Sequence, residues 1–344
     1  MSTQPLLSIK GLTKHFPLKK NIFESLLNKG DVVRAVDHID FDVMPGETLG
    51  VVGESGCGKS TTARLLMQLI NPTAGEVIFD GALVGGRDLP LKEFRRQVQM
   101  VFQDSYASLN PRLTIEDSIA FGPQVHGVSK QDSLARAHDL LERVGLAPAR
   151  FAARYTHELS GGQRQRVNIA RALALQPRVV ILDEAVSALD KSVEAQVLNL
   201  LLDLKETFKL TYVFISHDLN VVRYISDRVM VMYLGQVVEI GPADALFDNP
   251  AHPYTRALLS SIPAMDPAHR TEKAAIAGDP PNPINPPSGC RFHTRCPVAQ
   301  SVCSQRVPTL GKAHSAHPVA CLMYEPGSGY QAEVRAAKKA EVTT

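Results

Sequence analysis

The sequence predicts an α/β protein built on a parallel sheet, because wholly apolar strands alternate with amphipathic helices in its second half. Residues 179–182 and 211–215 are continuous apolar runs, as in strands that are covered on both faces. Between them, residues 193–208 repeat apolar side chains at helical spacing. A chain of 344 residues is long enough for one large domain and an appendage.

The N-terminal part adds an antiparallel element and a strand-loop-helix unit. Residues 37–43 alternate apolar and acidic side chains, the pattern of a half-buried antiparallel strand. Residues 48–52 are apolar and lead into Gly53, and a helix is predicted from Ser60 up to the Asn-Pro pair at 71–72. The buried side of this helix is expected to carry Leu65, Leu66 and Leu69.

A helix-rich middle is predicted as an insertion in the α/β core. Residues 129–145 have apolar side chains at helical spacing, with Ser129 as the N-cap and Gly145 just past the end. Residues 150–175 extend this helical region. We therefore expect a helical subdomain at about 105–172.

The C-terminal part changes in composition. Seven prolines fall within residues 263–287, which predicts an extended linker. Residues 288–323 hold four of the five cysteines, and residues 325–344 are polar enough to be a disordered tail.

Charge and hydropathy restrict the functional classes. Lys and Arg total 37 against 35 for Asp and Glu, so the net charge of +2 gives no general field for nucleic acid. No apolar run approaches the roughly 18 residues of a membrane-spanning helix, and the N-terminus has no apolar signal core. We expect a cytoplasmic chain in a compartment that keeps thiols reduced, with any membrane part supplied by another subunit.

Residues 53–60 read GESGCGKS and fit the phosphate-binding pattern GxxxxGK(S/T). Its backbone N–H groups would bind phosphate at a helix N-terminus, while Lys59 reaches the β and γ phosphates and Ser60 ligates Mg²⁺. A simple glycine-rich turn is the alternative, but the flanking strand and helix favour a P-loop. The predicted nucleotide-binding residues here are Gly53, Glu54, Ser55, Gly56, Cys57, Gly58, Lys59, Ser60 and Thr61.

Two carboxylates, Asp183 and Glu184, follow the apolar run at 179–182. Ligands bind at the carboxyl ends of parallel strands in open α/β sheets. Asp183 suits a Mg²⁺ ligand, as in the Walker B motif, and Glu184 could polarise the attacking water. Such a pair alone is more often a solvated loop, but the preceding P-loop favours the catalytic interpretation.

Residues 159–163 read LSGGQ, and here the sequence resembles the ABC transporter ATPases over about residues 6–250. The resemblance implies ATP hydrolysis, a RecA-like P-loop NTPase core with an antiparallel β subdomain and a pairing of two chains. In that pairing Ser160, Gly161, Gly162 and Gln163 complete the ATP site of the partner.

The same resemblance assigns four further residues. Phe16 corresponds to the aromatic that stacks on adenine, Gln103 to the Q-loop glutamine near Mg²⁺, Asp190 to the D-loop aspartate and His217 to the switch histidine. The predicted catalytic residues are Lys59, Gln103, Glu184 and His217. Taken singly, Phe16 could be a core residue, Gln103 a surface residue and His217 a strand-end imidazole. Ala185 stands where the family usually has proline, which could loosen the turn.

Residues 249–259, NPAHPYTRALL, narrow the resemblance to oligopeptide and dipeptide permease ATPases. Residues 285–290 and the segment 102–112 are similar to the same group. This implies an extension at 251–324 and a peripheral location at the cytoplasmic face of the inner membrane. The implied partners are two membrane permease subunits, an extracytoplasmic solute-binding protein and a paralogous ATPase, or a second copy of this chain. Another solute, such as a metal chelate, stays open, and a soluble ABC ATPase is less favoured.

Cys290, Cys296, Cys303 and Cys321 have spacings wider than the paired CxxC of most zinc sites. Four thiols in a reducing compartment favour a metal or cluster over disulfides. The permease resemblance implies a 4Fe-4S cluster on these cysteines. Zinc, with help from His293, His314 or His317, and unliganded thiols remain alternatives.

Overall fold

A computed structural model describes residues 4–18, 31–261, 278–311 and 317–331 of the chain. Its strands form two sheets, as the sequence predicts, one antiparallel and one mostly parallel. The strands are β1 (Leu7–Pro17), β2 (Val32–Val43), β3 (Thr48–Val52), β4 (Ala74–Phe79), β5 (Ala82–Leu83), β6 (Val98–Val101), β7 (Val179–Asp183), β8 (Thr211–Ile215), β9 (Arg228–Tyr233) and β10 (Gln236–Pro242).

The antiparallel sheet has the order β2-β1-β4-β5, and the six-stranded sheet has the order β10-β9-β3-β8-β7-β6. Strands β9, β3, β8, β7 and β6 are parallel to their neighbours, and β10 pairs antiparallel with β9. The loops that follow β3, β7 and β8 therefore leave the same edge of the sheet.

The helices are α1 (Lys59–Leu66), α2 (Leu91–Gln97), α3 (Ile115–Val125), α4 (Lys130–Arg143), α5 (Pro148–Phe151), α6 (Gly161–Leu173), α7 (Lys191–Phe208), α8 (Leu219–Ile225), α9 (Ala243–Asp248), α10 (Pro253–Ser260) and α11 (Ser301–Gln305). Helices α3 to α6 lie between β6 and β7 in the sequence, so the predicted helical insertion is present. Ser129 caps α4 by accepting from the N–H of Asp132, as predicted.

The two faces of the parallel strands bury separate sets of side chains, which explains their continuous apolar sequence. One set packs against the antiparallel sheet and comprises Leu49, Val51, Val179, Ile181, Val213 and Ile215. The opposite set packs with the helices and comprises Val52, Val180, Leu182, Tyr212 and Phe214. The central sheet is thus fixed from both sides, and the loops at its edge start from rigid positions.

Helix α1 is shorter than the sequence predicts. It ends at Leu66, and Gln68 takes a left-handed backbone with φ of 52°. Leu65 and Leu66 are buried, whereas Leu69 is exposed, so the placement of Leu69 on the buried side was wrong. The left-handed residue turns the chain before Leu69 can continue the helical repeat.

The C-terminal extension is described in part. Residues 278–287 form neither helix nor strand, and residues 262–277 of the predicted linker lie outside the described part. Within the predicted tail, Ser328 is buried and Tyr330 donates to the carbonyl oxygen of Val298 at 2.7 Å. Residues 332–344 are outside the described part, as is His314. None of the described helices is both long and apolar enough to cross a bilayer.

Candidate nucleotide site

Residues 53–58 form the turn between β3 and α1, and Lys59 and Ser60 begin the helix. Gly58 precedes the helix with φ of 108°, and a Cβ there would lie 2.3 Å from the carbonyl oxygen of Ala35, so only glycine fits. Nζ of Lys59 folds back over the turn and donates to the carbonyl oxygens of Gly53 at 2.7 Å and Glu54 at 3.1 Å. The turn therefore presents a lysine and a helix N-terminus, an arrangement suited to phosphate.

A cavity of about 510 Å³ lies over this turn. The turn and α1 contribute Ser55, Gly56, Gly58, Lys59, Ser60 and Thr61, and the rest of the lining is Val33, Ala35, Gln103, Glu184, His217 and Pro283. Nine of the predicted site residues thus share one cavity although they come from four separate parts of the chain. Gly53, Glu54 and Cys57 belong to the turn but do not line the cavity.

Ser60 lines the cavity and contacts Asp183, which does not line it. Oγ of Ser60 donates to Oδ1 of Asp183 at 3.0 Å, and Asp183 is buried at the end of β7. Burial raises the pKa of Asp183, and the hydrogen bond from Ser60 opposes that effect. A hydroxyl and a carboxylate at this spacing fit the oxygen ligands that Mg²⁺ prefers.

Glu184 lies between two other predicted catalytic residues. Nε2 of Gln103 donates to its Oε2 at 2.8 Å, and Nδ1 of His217 is 3.6 Å from the same oxygen. Glu184 has a left-handed backbone with φ of 48°, a costly conformation for a non-glycine residue that is typical of functional sites. Ser187 holds the turn by donating from Oγ to the carbonyl oxygen of Glu184 at 3.0 Å. The hydrogen bond from Ser187 therefore holds the turn, even though Ala185 stands where the family usually has proline.

Several predicted residues lie outside the cavity. Phe16 is on β1, partly exposed, and pairs with Val33, which does line the cavity. Ser160 caps α6, where its Oγ accepts from the N–H of Gln163 and the Gln163 side chain accepts from the N–H of Ser160. Asp190 precedes α7. The segment 160–163 therefore does not contribute to the nucleotide cavity of its own chain.

The extension makes contacts with this site that the sequence does not predict. Pro283 borders the cavity, and its carbonyl oxygen accepts from the N–H of Arg34 at 3.2 Å. Arg295 makes two hydrogen bonds with the carboxylate of Glu54, at 2.9 and 3.0 Å. The one feature of the sequence that points to these contacts is Arg295, which precedes Cys296 in the extension. An arginine beside a cysteine does not identify the residue with which the arginine pairs.

The four C-terminal cysteines line one small, mainly apolar cavity of about 20 Å³, together with Phe292 and His293. Burial raises the pKa of Cys290 to about 11 and that of Cys321 to about 12, and it also raises the pKa of Cys296. The donor set is chemically suited to a soft metal or a cluster. Within the described part of the chain, however, no three His, Cys, Asp or Glu side chains converge closely enough to hold a metal ion.

The P-loop and the Asp-Glu pair at the edge of a parallel sheet define a P-loop nucleoside triphosphatase. A family model described as "ABC transporter" matches residues 36–187. The "Probable peptide ABC transporter ATP-binding protein" of Sinorhizobium fredii is 51% identical over 325 residues, which are 94% of this chain and 91% of that protein. The chain belongs to the ABC transporter family, as one of its ATP-hydrolysing, ATP-binding subunits.

Other similarities agree with this membership. The "Oligopeptide transport ATP-binding protein" of Bacillus subtilis is 48% identical over 93% of this chain and 98% of its own length. A solved dimeric ATP-binding cassette with ADP and Pi is 30% identical, with a TM-score of 0.60 over 69% of this chain and 98% of that one. A second family model, "Oligopeptide/dipeptide transporter, C-terminal region", matches residues 238–303.

Proposed function

We propose that this chain energises the import of oligopeptides or dipeptides through membrane permease subunits. The observation that carries the proposal is the match of residues 238–303 to the C-terminal region of oligopeptide and dipeptide transporters. Relatives named for peptide, oligopeptide and di/tripeptide transport support it over nearly the whole chain. In this proposal residues 6–250 are the ATPase domain, 251–324 the extension and 325–344 a tail.

The proposed nucleotide site uses the residues around the 510 Å³ cavity. Backbone N–H groups of the turn and Nζ of Lys59 would hold the phosphates, which requires Lys59 to redirect one of its three N–H groups from its present partners to the ligand. Ser60 and Asp183, with Gln103 nearby, would hold Mg²⁺, and the bound ion would offset charge on the phosphates. Gly53, Glu54 and Cys57 would contribute through the shape of the turn.

Glu184 is the proposed group that orients and deprotonates the attacking water. Its position between Gln103 and His217 supports this role, because both neighbours can hold the carboxylate toward the cavity. His217 would contact the terminal phosphate. Gln103 would move with the segment 102–112 and so couple the position of that segment to Glu184.

We propose that the active assembly pairs this cassette with a second one. Ser160, Gly161, Gly162 and Gln163 lie at the N-terminus of α6 and outside their own cavity, which supports a role in the partner's site. Asp190 would act at the same interface, and Phe16 would stack on adenine beside Val33. The second cassette would be a paralogous ATPase or another copy of this chain. A solute-binding protein and two membrane subunits would complete a complex at the cytoplasmic face of the inner membrane.

Reconstitution tests the proposed cargo. The chain would be purified with its membrane subunits, placed in vesicles with the binding protein, and supplied with ATP and labelled peptides. ATP-dependent peptide uptake that is lost in Glu184→Gln is expected. Uptake of a metal chelate but of no peptide would refute the peptide assignment while leaving the ATPase intact.

We also propose that the four C-terminal cysteines hold a 4Fe-4S cluster. Their shared cavity supports this, but the thiols must move together, because in the present arrangement no three described donors converge. A cluster would compensate the charge of four nearby thiolates. Protein purified without oxygen should be brown, with about four irons and four sulfides per chain. Colourless protein with one zinc per chain would refute the cluster, and absence of any metal would refute the metal site.

A further inference from the structure

Glu54, the second residue of the P-loop, forms a two-fold ion pair with the C-terminal extension. Nη1 of Arg295 lies 2.9 Å from Oε2 of Glu54, and Nη2 lies 3.0 Å from Oε1. The Arg295 side chain is only 6% exposed. This fork geometry fixes the carboxylate in orientation as well as in position, which a single hydrogen bond does not.

The backbone of Glu54 is held by other residues. Its N–H donates to Oη of Tyr254 in α10 at 2.8 Å, and its carbonyl oxygen accepts from Nζ of Lys59 at 3.1 Å. Tyr254 is fully buried, and its ring packs on Tyr233 and Phe292 at centroid distances of 4.6 and 5.4 Å. Glu54 is therefore constrained at its N–H, its side chain and its carbonyl group.

Arg295 is itself braced from the core and from the extension. Nη1 also donates to Oη of Tyr233 at 3.3 Å, and Nη2 donates to the carbonyl oxygen of Gly278 at 2.9 Å. Tyr233 ends β9, the neighbour of β3 in the sheet. A displacement of residues 290–296 would therefore be transmitted to the turn that begins at the end of β3.

Glu54 does not line the nucleotide cavity, so its side chain has no place in direct contact with the ligand. Its carbonyl oxygen, however, is one of the two carbonyl acceptors of Lys59, the lysine proposed to face the phosphates. We infer that Arg295 is a positioning residue that holds the P-loop in its phosphate-binding shape, so that ATP affinity depends on the C-terminal extension. This inference rests on the proposed ATP site.

The same strand offers a matched control at its other end. Glu47 precedes β3, and its carboxylate pairs with Nη1 of Arg228 at 2.9 and 3.3 Å. Each arginine pairs with a partly buried glutamate near an end of β3, but of the two only Arg295 contacts the P-loop. Loss of either pair should lower stability, whereas only loss of the Arg295 pair should change nucleotide binding.

The experiment compares Arg295→Ala, Arg295→Lys, Arg228→Ala and Lys59→Ala in the full-length chain. ATP affinity would be measured by calorimetry, kcat and KM by phosphate release, and the thermal midpoint without nucleotide. Arg295→Ala should raise the Kd and KM for ATP on the order of tenfold, since small displacements of positioning groups are costly. Arg295→Lys should fall between it and the wild type, because lysine keeps the charge but loses the fork.

Arg228→Ala should lower the thermal midpoint and leave the Kd for ATP unchanged. An equal rise of Kd in Arg228→Ala and Arg295→Ala would overturn the inference, because general destabilisation would then explain both. If Arg295→Ala does not fold, Arg295→Lys decides the question: wild-type affinity in a folded Arg295→Lys variant overturns the inference. Loss of binding in Lys59→Ala without any change in the Arg295 variants would also overturn it but leave the proposed site standing. Normal binding in Lys59→Ala would refute the site as well.

Discussion

The side-chain amide of Gln103 donates to Glu184 at 2.8 Å, and both residues line the nucleotide cavity although 81 residues separate them in sequence. Gln103 follows β6, and Glu184 follows β7, the neighbouring parallel strand. Their meeting is therefore a consequence of sheet order. The contact joins the proposed general base to the segment 102–112, so a displacement of that segment would disturb the position of the Glu184 carboxylate.

Glu184→Gln should abolish ATP turnover while preserving nucleotide binding. Glutamine keeps the shape of the side chain but cannot accept a proton, so kcat is expected to fall by about 100-fold or more. Phosphate release and ATP affinity would be measured on the same preparation. The matched control is Glu93→Gln, an exposed residue of α2, which should hydrolyse ATP like the wild type. Near wild-type turnover in Glu184→Gln would contradict the assigned role.

Lys59→Ala should weaken ATP binding itself. The substitution removes a charge that faces the phosphates, and charge-assisted hydrogen bonds contribute about 1.5 to 3 kcal/mol each, so Kd should rise by about 10-fold to 100-fold. It also removes the two bonds that Nζ makes to Gly53 and Glu54. Calorimetry with ATP and Mg²⁺ measures the effect, and Lys92→Ala, an exposed lysine of α2, is the control. Equal affinities in the two variants would argue against the P-loop assignment.

The sequence predicts the local structure of this protein better than its long-range contacts. The bounds of β3 and β8 and the N-cap at Ser129 were predicted correctly, because hydrophobic period and capping act within a few residues. The end of α1 was missed, because the left-handed residue at Gln68 carries no strong sequence signal. The pairing of Glu54 with Arg295 spans 241 residues and depends on where the extension packs, which no local pattern encodes.

The order of the parallel strands brings most of the candidate site together. Gln103, Glu184 and His217 follow parallel strands, and Asp183 ends one. The edge of a parallel sheet collects such residues, and Ser60 joins them at the start of the helix after β3. The cysteines were predicted to act together, and they do share a cavity. Among the described residues, however, no three donors lie close enough to hold a metal ion. The thiol positions could not be predicted, because they depend on loops that no repeat or period constrains.

Asp218 should stabilise the protein in a pH-dependent manner. Its Oδ1 caps α8 by accepting from the N–H groups of Asn220 and Val221, and its Oδ2 accepts from Nζ of Lys191 at 2.8 Å. Burial raises the pKa of Asp218, but Lys191 and the two N–H groups outweigh it and hold the pKa below its usual value. A lowered pKa in the folded state stabilises the fold above the unfolded pKa, and this contribution is lost as the pH falls through the folded pKa.

Asp218→Ala should therefore cost about 1 kcal/mol at pH 7, the usual contribution of an N-cap. The difference from the wild type should shrink as the pH falls below about 4, where the carboxyl of the unfolded chain is protonated. Urea unfolding at a series of pH values measures this difference. Asp139→Ala, which removes an exposed pair with Arg143 in α4, should change stability by less than about 0.5 kcal/mol. A cost for Asp218→Ala that stays constant down to pH 3 would contradict the assignment.

Phe292→Ala should detach the extension from the core before it unfolds the central sheet. Phe292 is buried, and its ring contacts Tyr233 and Tyr254 at centroid distances of 5.3 and 5.4 Å. Loss of a buried phenylalanine costs about 3 to 5 kcal/mol, because the site loses apolar contacts and retains part of the cavity. Few described residues of the extension after residue 278 have buried apolar side chains, so the loss of Phe292 should affect that part first.

Hydrogen exchange measures where the loss falls. The N–H of Ala320 donates to the carbonyl oxygen of Val238 in β10 at 2.8 Å, and that of Val319 donates to Gly311 at 2.8 Å. Exchange at both amides should accelerate in Phe292→Ala, while amides of β7 and β8 keep their protection. Phe121→Ala, which truncates an exposed ring on α3, should leave all of these amides unchanged. Equal acceleration in β7 and in the extension would contradict the prediction. It would show that the two parts unfold together and that Phe292 stabilises the whole chain.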